Sequence, residues 1–286
     1  IQSLYEIIVE IWKTLENDGE RNVLKGYSET GRLFTIGYMG YMLSACAVFV
    51  SMPLHPVLLD IVMPLNDSRA LKSILEGEYL IDLEEYYGAI WAYECFVCAI
   101  TNFLFIGVDS SYSAYVHQCV GLLAIVKFHL RSTSGNTSTK LNENNGSNDA
   151  YNSIVRPVEL HRKALRFANA LESTYSTNFF ILFALNAVLL SVGSVVILIN
   201  LDHLMEFIRY SMIWVGVMMH MFYLSLPAQK LTDISAGIFH DAYTNKWYKC
   251  TVKTQKLLKF IMMRSKEPCL LTAGKVYVMN LENCGA

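Results

Sequence analysis

The chain has 286 residues, of which 53% are apolar and 17% are charged, and its formal net charge is −2 at pH 7. Soluble domains carry roughly 25% charged residues, so this composition is typical of a membrane protein. The sequence has no basic stripe interleaved with stacking aromatic side chains, which argues against a nucleic-acid partner. The seven cysteines are an odd number, and several lie within apolar segments, so we expect packing thiols rather than a disulfide framework.

Residues 1–32 are predicted to form an amphipathic helix and a linker. Apolar side chains recur there at the spacing of one helix face, at Leu4, Ile8, Ile11, Trp12 and Leu15. Such a face packs against other helices rather than spanning a membrane by itself.

Four long stretches with few or no charges follow, at residues 33–59, 86–108, 173–201 and 210–229. A hydrocarbon core about 30 Å thick is crossed by roughly 20 apolar helical residues, so each stretch is long enough to cross. The fold class is therefore predicted to be all-α, a polytopic membrane helical bundle in a lipid bilayer. Residues 33–130 would hold the first two spans with an outer loop at 54–88, and residues 155–230 would hold the other two.

The basic residues predict the orientation of these spans. Of the 23 Lys and Arg, 20 lie before the first stretch, between the second and third, or after the fourth, and 3 lie in the two other connections. Lys and Arg concentrate on the cytoplasmic side of membrane proteins. Both ends of the chain and the middle connection are therefore expected in the cytoplasm.

The cytoplasmic segments are predicted to form a helical layer. The uncharged run 110–126 would continue the second span as a helix, residues 155–172 would lead into the third span, and residues 231–249 would follow the fourth. Within the last segment, 231–286, residues 251–264 form an amphipathic helix that ends before Pro268. Residues 131–154, rich in Ser, Asn, Thr and Gly, are predicted to be a flexible loop.

Catalytic and metal-binding patterns are scarce, so neither an enzyme nor a cofactor is expected. Cys95 and Cys98 form a CxxC on a predicted span, but a zinc site needs four ligands and no second pair has suitable spacing. Packing is therefore the favoured interpretation of this pair. His240 and Asp241 could form a base and its orienting acid, but with no nucleophile nearby they are expected to be a surface polar pair.

Two acids lie in or beside the predicted second span. Glu94 is the only formal charge within a span core, and an intramembrane ionisable group is a candidate functional site. The favoured alternative is that it lies near the outer interface, where its side chain snorkels or faces water. Asp109 closes the same span, where an acid at the membrane boundary is ordinary.

Aromatic residues, methionines and small residues are common in the outer halves of three spans. Together such side chains form apolar pockets with a few hydroxyl groups, although each alone is more often a packing residue. From their depth and facing, seven residues are predicted to line a ligand pocket: Tyr41, Ala45, Phe49, Tyr93, Val97, Ile213 and Val217.

Three glycosylation sequons test the orientation. Asn66 lies in the predicted outer loop, whereas Asn136 and Asn145 lie in the predicted cytoplasmic loop. Only Asn66 is therefore expected to carry sugar.

The chain resembles the insect odorant receptor family over most of its length. The residues that carry the resemblance are Glu29-Thr30-Gly31-Arg32 before the first span, Pro64–Arg69 with Glu78-Tyr79 in the outer loop, Tyr243–Tyr248 after the last span, and Pro268–Lys275 near the end. The resemblance implies a plasma-membrane subunit that binds small apolar odorants in its outer half. It also implies a tetrameric cation channel formed with a co-receptor through a cytoplasmic anchor, for which we expect Trp247, Leu257, Leu258 and Ile261.

The match begins after that family's second helix and stops just after its Thr-Ala-Gly-Lys motif. We therefore expect a fragment that lacks the first two helices and the pore-lining part of the last. The alternatives are a gustatory receptor of the same superfamily and a secondary transporter. A transporter would show internal repeats and interrupted helices. A G-protein-coupled receptor would need the opposite orientation.

Overall fold

The computed structural model of the chain describes residues 2–15, 17–63, 73–74, 79, 82, 85–136, 146–245 and 247–284. In chain order these residues form helices α1 (Gln2–Thr14), α2 (Asp18–Ser51), α3 (Leu54–Val62), α4 (Tyr87–Asn136), α5 (Gly146–Ile199) and α6 (Leu204–Thr244), a 3-10 turn (Trp247–Lys249), helix α7 (Val252–Ser265), strands β1 (Thr272–Ala273) and β2 (Tyr277–Val278), and helix α8 (Leu281–Cys284).

Four of these helices, α2, α4, α5 and α6, are long and apolar enough to cross a membrane. Each of them overlaps one of the four predicted spans, and the all-α prediction is confirmed. Within the described part of the chain, the short antiparallel hairpin of β1 and β2 is the only sheet.

The first span is shorter than the sequence predicted. Helix α2 ends at Ser51, and the apolar residues after it form the separate helix α3. Pro53 lies between them, and a proline can donate no backbone hydrogen bond to the preceding turn, so a helix does not continue through it easily. The outer loop predicted at 54–88 therefore begins with a helix.

The four long helices pack side by side in alternating directions. Trp91 Nε1 on α4 donates to the Val50 carbonyl on α2 (3.3 Å), and further along Gln118 Nε2 donates to Ser28 Oγ (2.7 Å), so the two helices are antiparallel. Helix α6 runs parallel to α4, because Tyr112 donates to the Leu224 carbonyl and Asn245 donates to the Leu130 carbonyl.

These contacts define the two ends of the bundle. The end where α2 begins and α4 and α6 finish carries most Lys and Arg, and we call it the basic end. The other, here called the acidic end, carries Asp82, Glu85, Asp202 and Glu206.

The helices extend beyond the predicted spans at the basic end, as expected. Helix α4 continues through residues 110–126, α5 begins well before its span, and α6 continues to Thr244. The extension of α4 is buried over two full turns and more, at Val116, Cys119, Val120, Leu122, Leu123, Ile125 and Val126. Helix α1 packs here too, with Leu4, Ile11 and Leu15 buried, and α2 begins already at Asp18, within the segment predicted to be a linker.

An ion cluster joins α2, α4 and α5 at the basic end. Glu20 is buried, and its carboxylate lies 2.7 Å from His129 Nε2 and 3.0 Å from Arg156 Nη2. Arg156 also donates to the Thr14 carbonyl at the end of α1 (2.6 Å). This group of residues, the Glu20 cluster, fixes α1 and the start of α2 against the neighbouring helices.

The long helices also extend into the segment predicted as a flexible loop. Helix α4 ends at Asn136 and α5 begins at Gly146, so only the centre of the predicted 131–154 loop, with the Asn145 sequon, lies outside the described residues. The Asn66 sequon lies outside them as well.

The C-terminal hairpin docks onto α5 and α6. Gly274 N donates to the Ser176 carbonyl (2.9 Å), Thr272 Oγ1 donates to Glu172 Oε1 (2.8 Å), and Cys269 N donates to Ser235 Oγ on α6 (2.9 Å). Gly274 has φ +63°, and a Cβ at this position would lie 2.7 Å from the Phe180 ring. A glycine is therefore required both by the turn and by its close approach to α5.

Candidate functional site

Asp109 lies at the centre of a buried polar cluster formed by three of the long helices. Tyr38 Oη on α2 donates a hydrogen bond of 2.6 Å to Asp109 Oδ2 on α4, and His220 Nε2 on α6 lies 2.9 Å from the same oxygen. The exposed fractions are 3% for Asp109, 5% for Tyr38 and 9% for His220. We call these three residues the Asp109 cluster.

The prediction that Asp109 is an ordinary boundary acid is therefore wrong. Helix α4 continues past Asp109 without a break, so Asp109 lies in the middle of the helix rather than at its end. There α2 and α6 pack on both sides of its carboxylate. A buried carboxylate needs hydrogen-bond donors in place of water, and Tyr38 and His220 supply them.

Aromatic rings surround the Asp109 cluster. The Tyr38 ring stacks on Tyr223 with 3.7 Å between centroids, and Tyr223 stacks on Phe34 at 4.7 Å. The Phe105 ring meets His220 edge-on at 5.7 Å. The polar groups of the cluster are therefore enclosed in an apolar, low-dielectric environment, which strengthens the hydrogen bonds between them.

Glu94 forms the centre of a second buried cluster, near the acidic end. Its side chain is 1% exposed and accepts hydrogen bonds from the Ser73 hydroxyl, the Ile74 backbone N–H and the Tyr79 hydroxyl. The Arg209 guanidinium on α6 donates to the Ile74 carbonyl. This Glu94 cluster ties the chain around Ile74 to α4 and α6, so the interpretation that Glu94 faces water is wrong, although its position near this end is as expected.

The two clusters bracket an apolar stretch of the bundle. Glu94 and Asp109 are separated by 15 positions on α4, which is about 22 Å along a helix that rises ~1.5 Å per residue. We call this stretch, residues 94–109 of α4 with the facing parts of α2, α5 and α6, the bracketed region.

Five of the seven residues predicted to line a pocket are half-buried in or beside the bracketed region. On α2, Tyr41, Ala45 and Phe49 follow Tyr38 at helical spacing, so they lie on the face that Tyr38 presents to α4. Val97 on α4 and Val217 on α6 are also half-buried. Val217 lies one turn from His220, toward the acidic end.

The other two predicted pocket residues do not lie inside the bundle. Tyr93 is 60% exposed and Ile213 is 43% exposed. The apolar pattern of a span does not distinguish a lipid-facing side from an interior side, because both are apolar in a membrane protein. The sequence-based prediction was therefore weakest in deciding which span residues point into the bundle and which point toward lipid.

Two buried amide atoms in this part of the bundle lack hydrogen-bond partners among the described residues. Asn102 Nδ2 donates to the Met42 carbonyl (3.2 Å), but Asn102 Oδ1 has no donor, and Asn186 Nδ2 on α5 has no acceptor. Asn186 lies seven residues beyond Phe179, which packs on Tyr112 with 4.7 Å between centroids. Since α5 and α4 are antiparallel, Asn186 lies level with about residue 105 of α4, within the bracketed region.

The residues predicted for a subunit anchor divide into two groups. Leu258 and Ile261 on α7 are buried inside the chain, so they cannot contact another subunit in this arrangement, and Trp247 and Leu257 are half-buried. The opposite face of α7 is exposed and mixed, with Val252, Phe260 and Met263 lying among exposed lysines and an arginine. Helical spacing identified an apolar face correctly but not the side that remains available.

The remaining candidates for chemistry have structural roles. Cys95 and Cys98 are half-buried free thiols, and no cluster of three or more metal-binding side chains occurs among the described residues. Burial raises the pKa of the Cys250 and Cys269 thiols, which keeps them protonated and unreactive near neutral pH.

Asp241, predicted to lie at the surface, is instead buried. It lies 3.1 Å from Arg131 Nη2 and 3.6 Å from Lys127 Nζ. It therefore joins the end of α6 to α4, and only its neighbour His240 is exposed.

The Asp109 cluster is the main feature that the sequence analysis missed. The fourth stretch contains no Asp, Glu, Lys or Arg and one histidine, His220, and Asp109 closes the second stretch. An acid and a histidine at the same depth of neighbouring spans are a signal for such a pair. Recognising it required the relative heights of the helices, which the sequence does not give.

Comparison with known proteins shows the family. Residues 2–284 match the family model described as 7tm Odorant receptor. Odorant receptor Or2 of Anopheles gambiae is 20% identical over 288 residues, covering 98% of this chain and 72% of the relative. Odorant receptor 67a of Drosophila melanogaster is 25% identical over 140 residues, covering 49% of this chain and 34% of the relative.

Solved structures share the fold. The insect olfactory receptor OR5 from Machilis hrabei superposes with a TM-score of 0.63 at 17% identity, covering 90% of this chain and 64% of that chain. Its complex with eugenol gives a TM-score of 0.61 at 14% identity, covering 90% and 65%. The chain thus spans slightly less than two thirds of the length of these structures. A family match over nearly the whole chain, together with the four membrane-length helices, leads to one conclusion: the chain belongs to the odorant receptor family and is a multi-pass membrane protein.

Proposed function

We propose that this chain is part of an odorant receptor subunit that binds small, mostly apolar, volatile molecules in the bracketed region. The observation that carries the proposal is the position of this region. It is an apolar length of membrane-spanning bundle, closed by a buried polar cluster at each end and lined on one face of α2 by Tyr41, Ala45 and Phe49.

The ligand class follows from the side chains available. Burial of apolar surface contributes roughly 25 cal/mol per Å², so shape and size would dominate affinity and related molecules would bind with similar strength. The unpartnered amide oxygen of Asn102 could accept a hydrogen bond from a ligand hydroxyl, and the unpartnered amide nitrogen of Asn186 could donate one to a ligand hydroxyl or carbonyl. Eugenol, bound in the related Machilis hrabei structure, is a molecule of this kind.

We further propose that the subunit gates a cation channel as a hetero-tetramer with an odorant receptor co-receptor in the plasma membrane. The exposed apolar side chains of α7, Val252, Phe260 and Met263, support a contact with a second subunit, since aromatic residues and methionines are enriched in subunit interfaces. The excess of Lys and Arg at the basic end supports placing that end, with both ends of this chain, in the cytoplasm.

The test is current recording from cells that express the complete receptor, with and without its co-receptor, over a panel of odorants. Tyr41→Ala and Phe49→Ala should raise the half-maximal ligand concentration by about tenfold, because each removes on the order of 1–3 kcal/mol of apolar contact. Tyr93→Ala, at an exposed position of α4, is the matched control and should leave it unchanged.

Two outcomes would contradict the proposal. Equal shifts for Tyr93→Ala and Tyr41→Ala would remove the assignment of the pocket to the bracketed region. Attachment of sugar at Asn136 or Asn145, rather than at Asn66, would reverse the proposed orientation.

A further inference from the structure

The Asp109 cluster differs from ordinary helix packing because one oxygen atom joins three membrane-length helices. Asp109 Oδ2 accepts from Tyr38 on α2 and lies within hydrogen-bond distance of His220 on α6. All three residues are at least nine-tenths buried. A small relative movement of any of these helices therefore changes a hydrogen bond to a buried acid.

Such a cluster has few intermediate states. A buried carboxylate that loses one donor is left with an unsatisfied group in an apolar environment, which is unfavourable by several kcal/mol. Either both contacts to Oδ2 are made, or the helices must move far enough for another group or water to replace the missing one. Packed elements with two such discrete arrangements are the usual basis of conformational switches.

The contacts continue from the cluster toward the basic end along α6. Tyr38 stacks on Tyr223, which follows His220 by less than one turn, and Tyr223 stacks on Phe34. Further along α6, Thr232 Oγ1 donates to the Cys269 carbonyl (3.2 Å) and Ser235 Oγ accepts from Cys269 N (2.9 Å). One helix therefore contacts both the Asp109 cluster and the segment that leads into the C-terminal hairpin.

We propose that the Asp109 cluster couples ligand binding in the bracketed region to movement of α6 and the C-terminal hairpin. The inference rests on the proposed function. A ligand packed among α2, α4 and α6 acts on the spacing of these helices directly above the cluster. The bound and unbound states differ in whether Asp109 Oδ2 keeps both of its contacts, and α6 carries that difference to the hairpin. Asp109, Tyr38 and His220 are in this view positioning residues that do not touch the ligand.

The experiment uses the complete receptor expressed with its co-receptor. The variants are Tyr38→Phe, His220→Gln, the double variant, and Asp109→Asn. For each, surface protein is measured by biotinylation, and ligand-evoked and constitutive currents are measured over a full concentration series. Ser111→Ala and Tyr243→Phe are the controls, since the Ser111 hydroxyl donates to the Gly107 carbonyl of its own helix and Tyr243 is exposed.

The expected result is a change of at least about fivefold in the ratio of maximal ligand-evoked current to constitutive current for each single variant. The double variant should change this ratio no more than the stronger single variant, because both donors serve the same oxygen. The controls should keep the wild-type ratio. If Asp109→Asn does not reach the surface, the milder Tyr38→Phe, which removes only the hydroxyl group, carries the test.

Three results would overturn the inference: an unchanged ratio at normal surface levels, a lower surface level with an unchanged ratio, or additive effects in the double variant. The wild-type recording separates these from a failure of the proposed function. If the wild-type receptor gave no ligand-evoked current, the proposed function would be lost before any variant was compared, and this inference with it.

Discussion

Replacement of Glu20 by Gln tests how the layer at the basic end is held together. Glu20 is buried and contacts both His129 and Arg156, and Arg156 in turn donates to the end of α1. Gln keeps the shape of the side chain but removes the charge. The perturbation therefore removes the Glu20 charge from the partly buried Arg156 guanidinium.

The magnitude follows from the burial of the partners. Breaking a buried ion pair by removing one charge destabilises by about 3–5 kcal/mol. The side chains of Arg156 and His129 are 24% and 19% exposed, so water recovers part of this loss and about 2–3 kcal/mol is expected. At roughly 2–4 °C per kcal/mol, the thermal midpoint should fall by about 5–10 °C.

The assay is the thermal midpoint of the detergent-solubilised complete receptor, read from its retained monodisperse fraction. Glu10→Gln is the matched control, because Glu10 is 67% exposed and lies 3.6 Å from Lys163. An exposed pair of this kind contributes about 1 kcal/mol or less. Equal midpoints for Glu20→Gln and Glu10→Gln would refute the reasoning. Adding Arg156→Met to Glu20→Gln should recover part of the loss, since the partly buried guanidinium is then gone as well.

Three further predictions address the hairpin, helix α7 and the amide in the bracketed region. Gly274→Ala should destabilise by about 1–2 kcal/mol, because the residue has positive φ and its Cβ would contact Phe180; its thermal midpoint is compared with that of Gly37→Ala, where a Cβ meets nothing within 4 Å. Leu258→Ala should lower the thermal midpoint by the equivalent of about 2–5 kcal/mol. Phe260→Ala should leave the midpoint unchanged and reduce co-purification with the co-receptor. If Phe260→Ala lowered the midpoint and Leu258→Ala reduced co-purification alone, the two assigned roles would be reversed. Asn186→Leu should reduce by about tenfold the preference for an odorant with a hydroxyl group over its hydrocarbon analogue, as measured by dose–response. The control, Asn178→Leu at an exposed position, should leave this preference unchanged. Equal preference in both variants would exclude Asn186 as the polar contact.

The number and positions of the long helices could be predicted because their cause is local. A membrane span needs about 20 apolar residues, and the four stretches from Leu33 to Gln229 met that need without any tertiary information. The amphipathic helices α1 and α7 were likewise visible from spacing, at Leu4 and Ile11 and at Leu258 and Ile261.

What the sequence could not give was the facing and relative height of each helix. Tyr93 and Tyr41 are both aromatic residues on spans, yet one is exposed and the other packs against the core. Asp109 and His220 are 111 positions apart, and only the parallel packing of α4 and α6 brings them together. The end of α2 at Ser51 depended on Pro53, a local signal that the apolar pattern concealed. The hairpin at Thr272–Val278 escaped notice because strands of two residues have no readable period.

Helix α4 runs from Tyr87 to Asn136 in one piece of 50 residues, or about 75 Å at ~1.5 Å per residue. A small rotation of this helix at one end therefore displaces its other end by a distance proportional to its length. A tilt of only one degree at one end displaces the other by about 1.3 Å on this length, enough to lengthen a hydrogen bond beyond its normal range. Glu94, Asp109 and His129 all lie on α4. The positions of these three side chains therefore cannot change independently. A substitution that shifts the helix at one of these sites should change the hydrogen-bond distances at the other two.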